Sequence, residues 1–85
     1  MRKIEKQMLA ALQTGRVWQL ANTAVCGNAV TLYGHHIATM REGRCEVNRE
    51  TLARWPTPTT KSRLRALGAN VTTKAGVTYL DGAPV

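Results

Sequence analysis

The sequence predicts a single α+β domain over residues 1–85, a small antiparallel sheet of β-hairpins packed on about three short helices. Three observations predict it. Apolar residues recur at spacings of three and four near the start of the chain. After Arg16 the pattern changes to alternation, cut by glycine-bearing turns. A proline-bounded basic helix then precedes a last run of β-branched residues.

The first helix runs from Arg2 to about Gln13. Ile4, Met8, Leu9, Ala11 and Leu12 form its apolar stripe, Lys3, Lys6, Gln7 and Gln13 fall mostly on the other faces, and Gly15 suits the C-terminal cap. Trp18, Leu20, Val25, Val30, Leu32 and Ile37 then alternate with smaller or polar residues, and turn signals stand at Gly27-Asn28, Gly34-His35 and Glu42-Gly43. These place strands near 22–26, 29–33, 36–41 and 44–47. Asn48 caps a helix of at most two turns over 49–55, which Pro56 ends. Thr59 or Thr60 caps the next helix, Lys61 to Leu67, with Leu64 and Leu67 on its buried side, Lys61 and Arg65 on an exposed one, and Gly68 as its stop. Residues 70–82 carry β-branched side chains on both sides of Ala75-Gly76 and read as a closing hairpin. Such a sheet needs the first helix as a cover. There is no internal repeat and no flexible linker.

With 44% hydrophobic and 20% charged residues the chain has the composition of a folded domain rather than a disordered tail. Aromatics make up 5% and Phe is absent, so the core is thin. Twelve Lys and Arg against five Asp and Glu give a net charge of +7, which favours polyanions or an acidic protein surface. The apolar run Met8–Leu12 is too short for a signal peptide, and nothing approaches the ~18 apolar residues of a membrane span. A soluble, cytoplasmic protein without membrane association is expected. Two cysteines are too few for the disulfide framework of a small secreted domain, and Cys26 and Cys45 are expected to be buried thiols.

The spacing of Cys26, His35-His36 and Cys45 raises a tetrahedral zinc site. The hairpin reading opposes it: with the histidines at the tip and the cysteines near the open end, about nine residues at roughly 3.3 Å each separate them. The same folding back places Cys26 and Cys45 at nearby positions of adjacent strands. A nucleophile would need a His and an orienting acid, but Glu5, Glu42, Glu46, Glu50 and Asp81 sit mostly in turns or beside arginines, which resembles surface pairing. His35 and His36 read as solvated tip residues. No phosphate-loop, dinucleotide or HExxH motif is present. No catalytic residue, metal ligand or cofactor is assigned, and a non-enzymatic protein is expected.

The sharper candidate is an anion-binding helix start formed by Thr59, Thr60, Lys61, Ser62, Arg63 and Arg65. There, unsatisfied backbone N–H groups and a partial positive charge meet hydroxyls and cations. The order of short helix, proline-bearing turn, basic helix and hairpin imitates a winged helix-turn-helix. Arg2, Lys3 and Lys6, with Arg41 and Arg44, are further cations for a continuous basic face. Trp18, Tyr33, Trp55 and Tyr79 are the flat side chains available for base stacking, and in a core without Phe they read first as anchors; Trp55, beside Pro56, looks structural.

The chain resembles a family of small proteins encoded by tailed bacteriophages, especially short-tailed ones, and by related prophages. The resemblance lies in Ile4–Met8, in Asn22–Val25 with Val30–Ala38, and above all in Trp55-Pro56-Thr57-Pro58-Thr59-Thr60-Lys61-Ser62-Arg63-Leu64-Arg65-Ala66-Leu67-Gly68. In the sequences it resembles, position 65 is commonly Asn and positions 35–36 often read Asn-Leu, so these are not a fixed functional set. The resemblance implies a phage-encoded accessory protein of the host cytoplasm.

Two functions follow as expectations. The first is nucleic-acid binding in phage DNA metabolism or regulation through the basic helix, where changing Lys61, Arg63 and Arg65 together to Ala should flatten the salt dependence and leave the fold intact. The second is an effector that docks on an acidic host protein, such as a transcription, nucleoid or defence component, using anchors such as Trp18, Tyr33 or Trp55. A structural role in the virion is a third. Exposed strand edges in so small a protein make a homodimer a fair expectation.

Overall fold

A computed structural model describes residues 1–85 as three helices and two antiparallel sheets. Helix α1 (Lys3–Thr14) ends at Gly15, whose left-handed φ of 68° closes the last turn. Strands β1 (Trp18–Leu20), β2 (Thr23–Cys26), β3 (Ala29–Leu32), β4 (His35–Arg41) and β5 (Arg44–Val47) form a five-stranded meander in chain order. Helices α2 (Arg49–Arg54) and α3 (Pro58–Ala66) follow, and then a three-stranded meander of β6 (Val71–Lys74), β7 (Val77–Leu80) and β8 (Ala83–Pro84). The expected α+β architecture is present, with the hairpins divided between two sheets.

Two-residue turns join every strand pair within each sheet. At Tyr33-Gly34, Glu42-Gly43, Ala75-Gly76 and Asp81-Gly82 both residues have positive φ, the signature of type I′ turns, whose twist matches that of the strands they join. The sheet is therefore written largely as X-Gly pairs, with the non-glycine residue in a conformation L side chains resist. Ala21 does the same at φ 53°, between β1 and β2. That turn carries no glycine, and β1 stands as a strand ahead of the expected start near residue 22.

The register of β3 against β4 slips between Val30 and Thr31, leaving Ile37 unpaired between Ala38 and His36. The bulge breaks the alternation and turns two successive residues, Ile37 and Ala38, into the core. They meet Val25, Val30 and Leu32 of the same sheet, Met8 and Ala11 of α1, Leu52 of α2, Leu64 of α3, and Leu67, Val71 and Leu80 below. This cluster of 12 residues contains no aromatic ring. Asn48 caps α2 by accepting a hydrogen bond from the Thr51 amide at 3.2 Å. No helix is long and apolar enough to cross a membrane.

Candidate nucleic-acid interface

Helix α3 starts earlier than its composition suggests. Thr57 is the N-cap, accepting from the Thr60 amide at 3.2 Å, and Pro58 opens the helix. This corrects the expected cap at Thr59 or Thr60: a proline has a preset φ and no N–H to leave unsatisfied, so it belongs at the first helical position. Thr60 is buried, its hydroxyl 2.9 Å from that of Thr57. With Pro58 lacking a donor and the Thr60 amide capped, Thr59 carries the first-turn amide that remains free. The helix start is a weaker anion cradle than the sequence suggested.

The second correction concerns Arg63. Thr60, Arg63, Leu64 and Leu67 all face inward, and Arg63 is only 3% exposed. Its Nη1 donates to Glu5 Oε2 at 2.9 Å and its Nε to Thr23 Oγ1 at 3.0 Å. Ser62 Oγ also donates to Glu5, and the Arg2 amide donates to the other carboxylate oxygen at 3.2 Å. Glu5 is therefore an interior residue bonded from three sides, whereas the sequence placed it among surface acids. Burial alone would raise its pKa. The hydrogen bonds from the Ser62 hydroxyl, the Arg2 amide and the Arg63 guanidinium, with the guanidinium's charge, hold it below the ordinary carboxylate value instead. Ser62 and Arg63 thus lock α1 to α3, and replacing Arg63 in a binding test would damage the fold.

The outer cations lie on the elements that this lock joins and on β6. The lock holds the first turn of α1 against the middle of α3. Lys61 reaches across to the Thr73 hydroxyl on β6, and Arg65 Nε donates to the Val71 carbonyl at 2.8 Å. Arg2, Lys3, Lys6, Arg65 and Lys74 are exposed and Lys61 half-buried, and none of their side chains forms an ion pair. Of the expected set, then, Lys61 and Arg65 lie on the outer side of the helix with their polar heads hydrogen-bonded to β6, Thr59 is half-buried, and Thr60, Ser62 and Arg63 face the interior.

Helix α3 packs against α1, β4 and β6, while α2 packs on β4. The chain order of a winged helix-turn-helix is present, but α3 is held on three sides and offers an edge along Pro58, Lys61 and Arg65. Arg41 pairs with Glu46 at 2.7 Å on the surface. Arg44 and Arg49 line a separate groove of about 650 Å³ together with Glu46 and Asp81, which offset their charge.

Cys26 and Cys45 are not on adjacent strands. They lie on β2 and β5 with β3 and β4 between them, roughly 14 Å apart at the spacing of strands, beyond any disulfide. Cys26 is exposed rather than buried. His36 bonds to Thr39 at 2.8 Å and approaches Asn48 at 3.3 Å, and His35 stacks on Trp55 with ring centres 4.1 Å apart.

The family model described as Kyanoviridae Gp96 protein matches the chain over residues 1–84. No curated protein and no solved structure matches.

Proposed function

The chain belongs to the Kyanoviridae Gp96 protein family, a bacteriophage family, and we propose that this phage accessory protein is a non-enzymatic nucleic-acid-binding protein acting in phage DNA metabolism or regulation. The observation that carries this reading is the set of unpaired cations on α1, α3 and β6. Lys61 and Arg65 reach β6, which also carries exposed Lys74, α1 carries exposed Arg2, Lys3 and Lys6, and none of these six side chains forms an ion pair. Six cations left without an ion pair, on a chain of net charge +7, favour a polyanion. Binding of this kind is dominated by phosphate contacts and counterion release, so it is weakly sequence-specific and falls steeply with salt.

The test is fluorescence anisotropy with labelled single-stranded and duplex DNA across a salt series. If about five of these cations touch phosphates of a duplex, the slope of log K against log salt is about −4.5, and each one removed lowers it by roughly 0.9. Lys61→Ala with Arg65→Ala should therefore reduce the slope by roughly 2 and leave the fold intact. Absence of binding at low salt would reject the reading, and an unchanged slope would remove these two cations from it. Capture of an acidic host protein that survives nuclease treatment would favour the effector role instead. Pairing through the exposed edge strand β1, beside Val17 and Leu20, would supply the expected homodimer, which sedimentation of the wild type and Leu20→Lys tests.

A further inference from the structure

We infer that the cleft between Tyr33, His35 and Trp55 seats one unstacked base of a single-stranded nucleic acid, an inference that rests on the nucleic-acid reading above. The cleft has a volume of about 260 Å³, with Leu32 and Ile37 in its lining. That is below the ~300–1,000 Å³ typical of sites for drug-sized ligands and suits a single flat ring.

Tyr33 provides the first argument. It occupies the leading position of a type I′ turn at φ 52°, where glycine or asparagine is at ease and other L residues cost about 1–2 kcal/mol. It is also 71% exposed, so core packing does not compensate for that cost. A bulky ring held at a strained position in solvent points to use. The second argument is the stack already in place. The Arg54 guanidinium lies 5.7 Å from the centre of the Trp55 ring, and His35 lies on Trp55 at 4.1 Å with planes 26° apart. Cation and imidazole thus both contact the indole beside the exposed Tyr33 ring, and a base adds to such a cluster through its own π-face.

Charge selects the occupant. No carboxylate lines the cleft, and the Arg54 guanidinium stands beside it over the Trp55 ring. Flat side chains beside a cation fit a base with its phosphate. The cleft also distinguishes strands: a paired base inside a duplex cannot enter it, whereas the outer cations grip phosphates of either form.

The experiment uses the full chain carrying Trp18→Phe, which leaves Trp55 as the sole indole, titrated with an oligothymidylate and with a duplex of equal length. Single-strand binding should quench Trp55 fluorescence. Tyr33→Asn, which keeps a residue suited to positive φ, should weaken single-strand binding by at least about fivefold while duplex affinity and salt slope stay unchanged. Circular dichroism confirms the fold of each variant. Binding of neither nucleic acid at low salt would overturn the nucleic-acid reading and the cleft with it. Salt-dependent binding with no quenching and no effect of Tyr33→Asn would overturn the cleft alone. Quenching by a tyrosine- and glutamate-rich peptide, lost in Tyr33→Asn and absent with the oligonucleotide, would overturn the base assignment and give the cleft to a protein partner.

Discussion

Replacing Arg63 by alanine strips the guanidinium from a carboxylate that is itself 3% exposed. Glu5 keeps the Ser62 hydroxyl and the Arg2 amide, but its charge is no longer balanced in the interior. Breaking a buried pair from one side costs about 3–5 kcal/mol, against a total stability of about 4–13 kcal/mol for a chain of this length. At about 4–8 °C per kcal/mol, the melting temperature should fall by at least about 12 °C. The loss should also depend on pH. In the wild type the Glu5 carboxyl is held below its unfolded value, so its contribution is complete above about pH 4.3 and is lost as pH falls through the folded pKa. In Arg63→Ala the carboxyl protonates more readily and no longer needs a counter-charge, so the gap between variant and wild type narrows from pH 7 to pH 3. Thermal melts by circular dichroism at pH 7, 5 and 3 measure both effects. A variant within about 0.5 kcal/mol of wild type at pH 7, or a gap that does not change with pH, would refute the buried pair.

Three further outcomes are predicted. Ala75→Asn puts a residue suited to positive φ into the Ala75-Gly76 turn and should raise stability by about 1 kcal/mol, read as a higher melting temperature. Arg41→Ala removes an ion pair whose side chains are 63% and 60% exposed, and should change stability by less than about 1 kcal/mol in a urea titration. Burial pushes the Cys45 thiol up, so iodoacetamide should modify exposed Cys26 first, and oxidation should give no intramolecular disulfide on a non-reducing gel.

The fold was legible where local chemistry decides it. Gly15 closes α1, Asn48 caps α2, and the turn glycines bound the strands as their residue types require. Strand β1 was missed because Ala21 adopts positive φ without being glycine, asparagine or aspartate, so nothing marks its end. The start of α3 was misplaced although Pro58 carried the signal: Thr-Pro ahead of a basic run is an N-cap followed by the first helical residue. Arg63 was harder. Its partner Glu5 is 58 positions away, and pairing at that range has no local signature. The trace available was the inward stripe of Thr60, Arg63, Leu64 and Leu67, whose spacing of i, i+3, i+4 and i+7 takes in the arginine. Residue type alone made Arg63 look like Lys61 and Arg65; the helix period separates it from them.

That stripe also explains why a thin core would keep a charged pair. Well-packed apolar residues in place of a buried ion pair are often neutral or stabilising, so Glu5 and Arg63 need not be there for stability. Helix α3 has few apolar side chains, and Leu64 and Leu67 alone fix its rotation poorly. A turn of about 100°, one residue step, would bring Arg65 toward the interior and leave Glu5 unpaired. The pair therefore sets which face of α3 points inward, and with it that Lys61 and Arg65 reach the outer surface beside β6. Glu5→Leu with Arg63→Met should accordingly melt within about 1–2 kcal/mol of wild type, yet lose uniqueness. Its amide spectrum should broaden or double along α3, and its salt-dependent binding should weaken even though both substitutions lie in the interior. A double variant with sharp, single resonances and unchanged binding would show that packing alone orients α3 and that the pair has no such role.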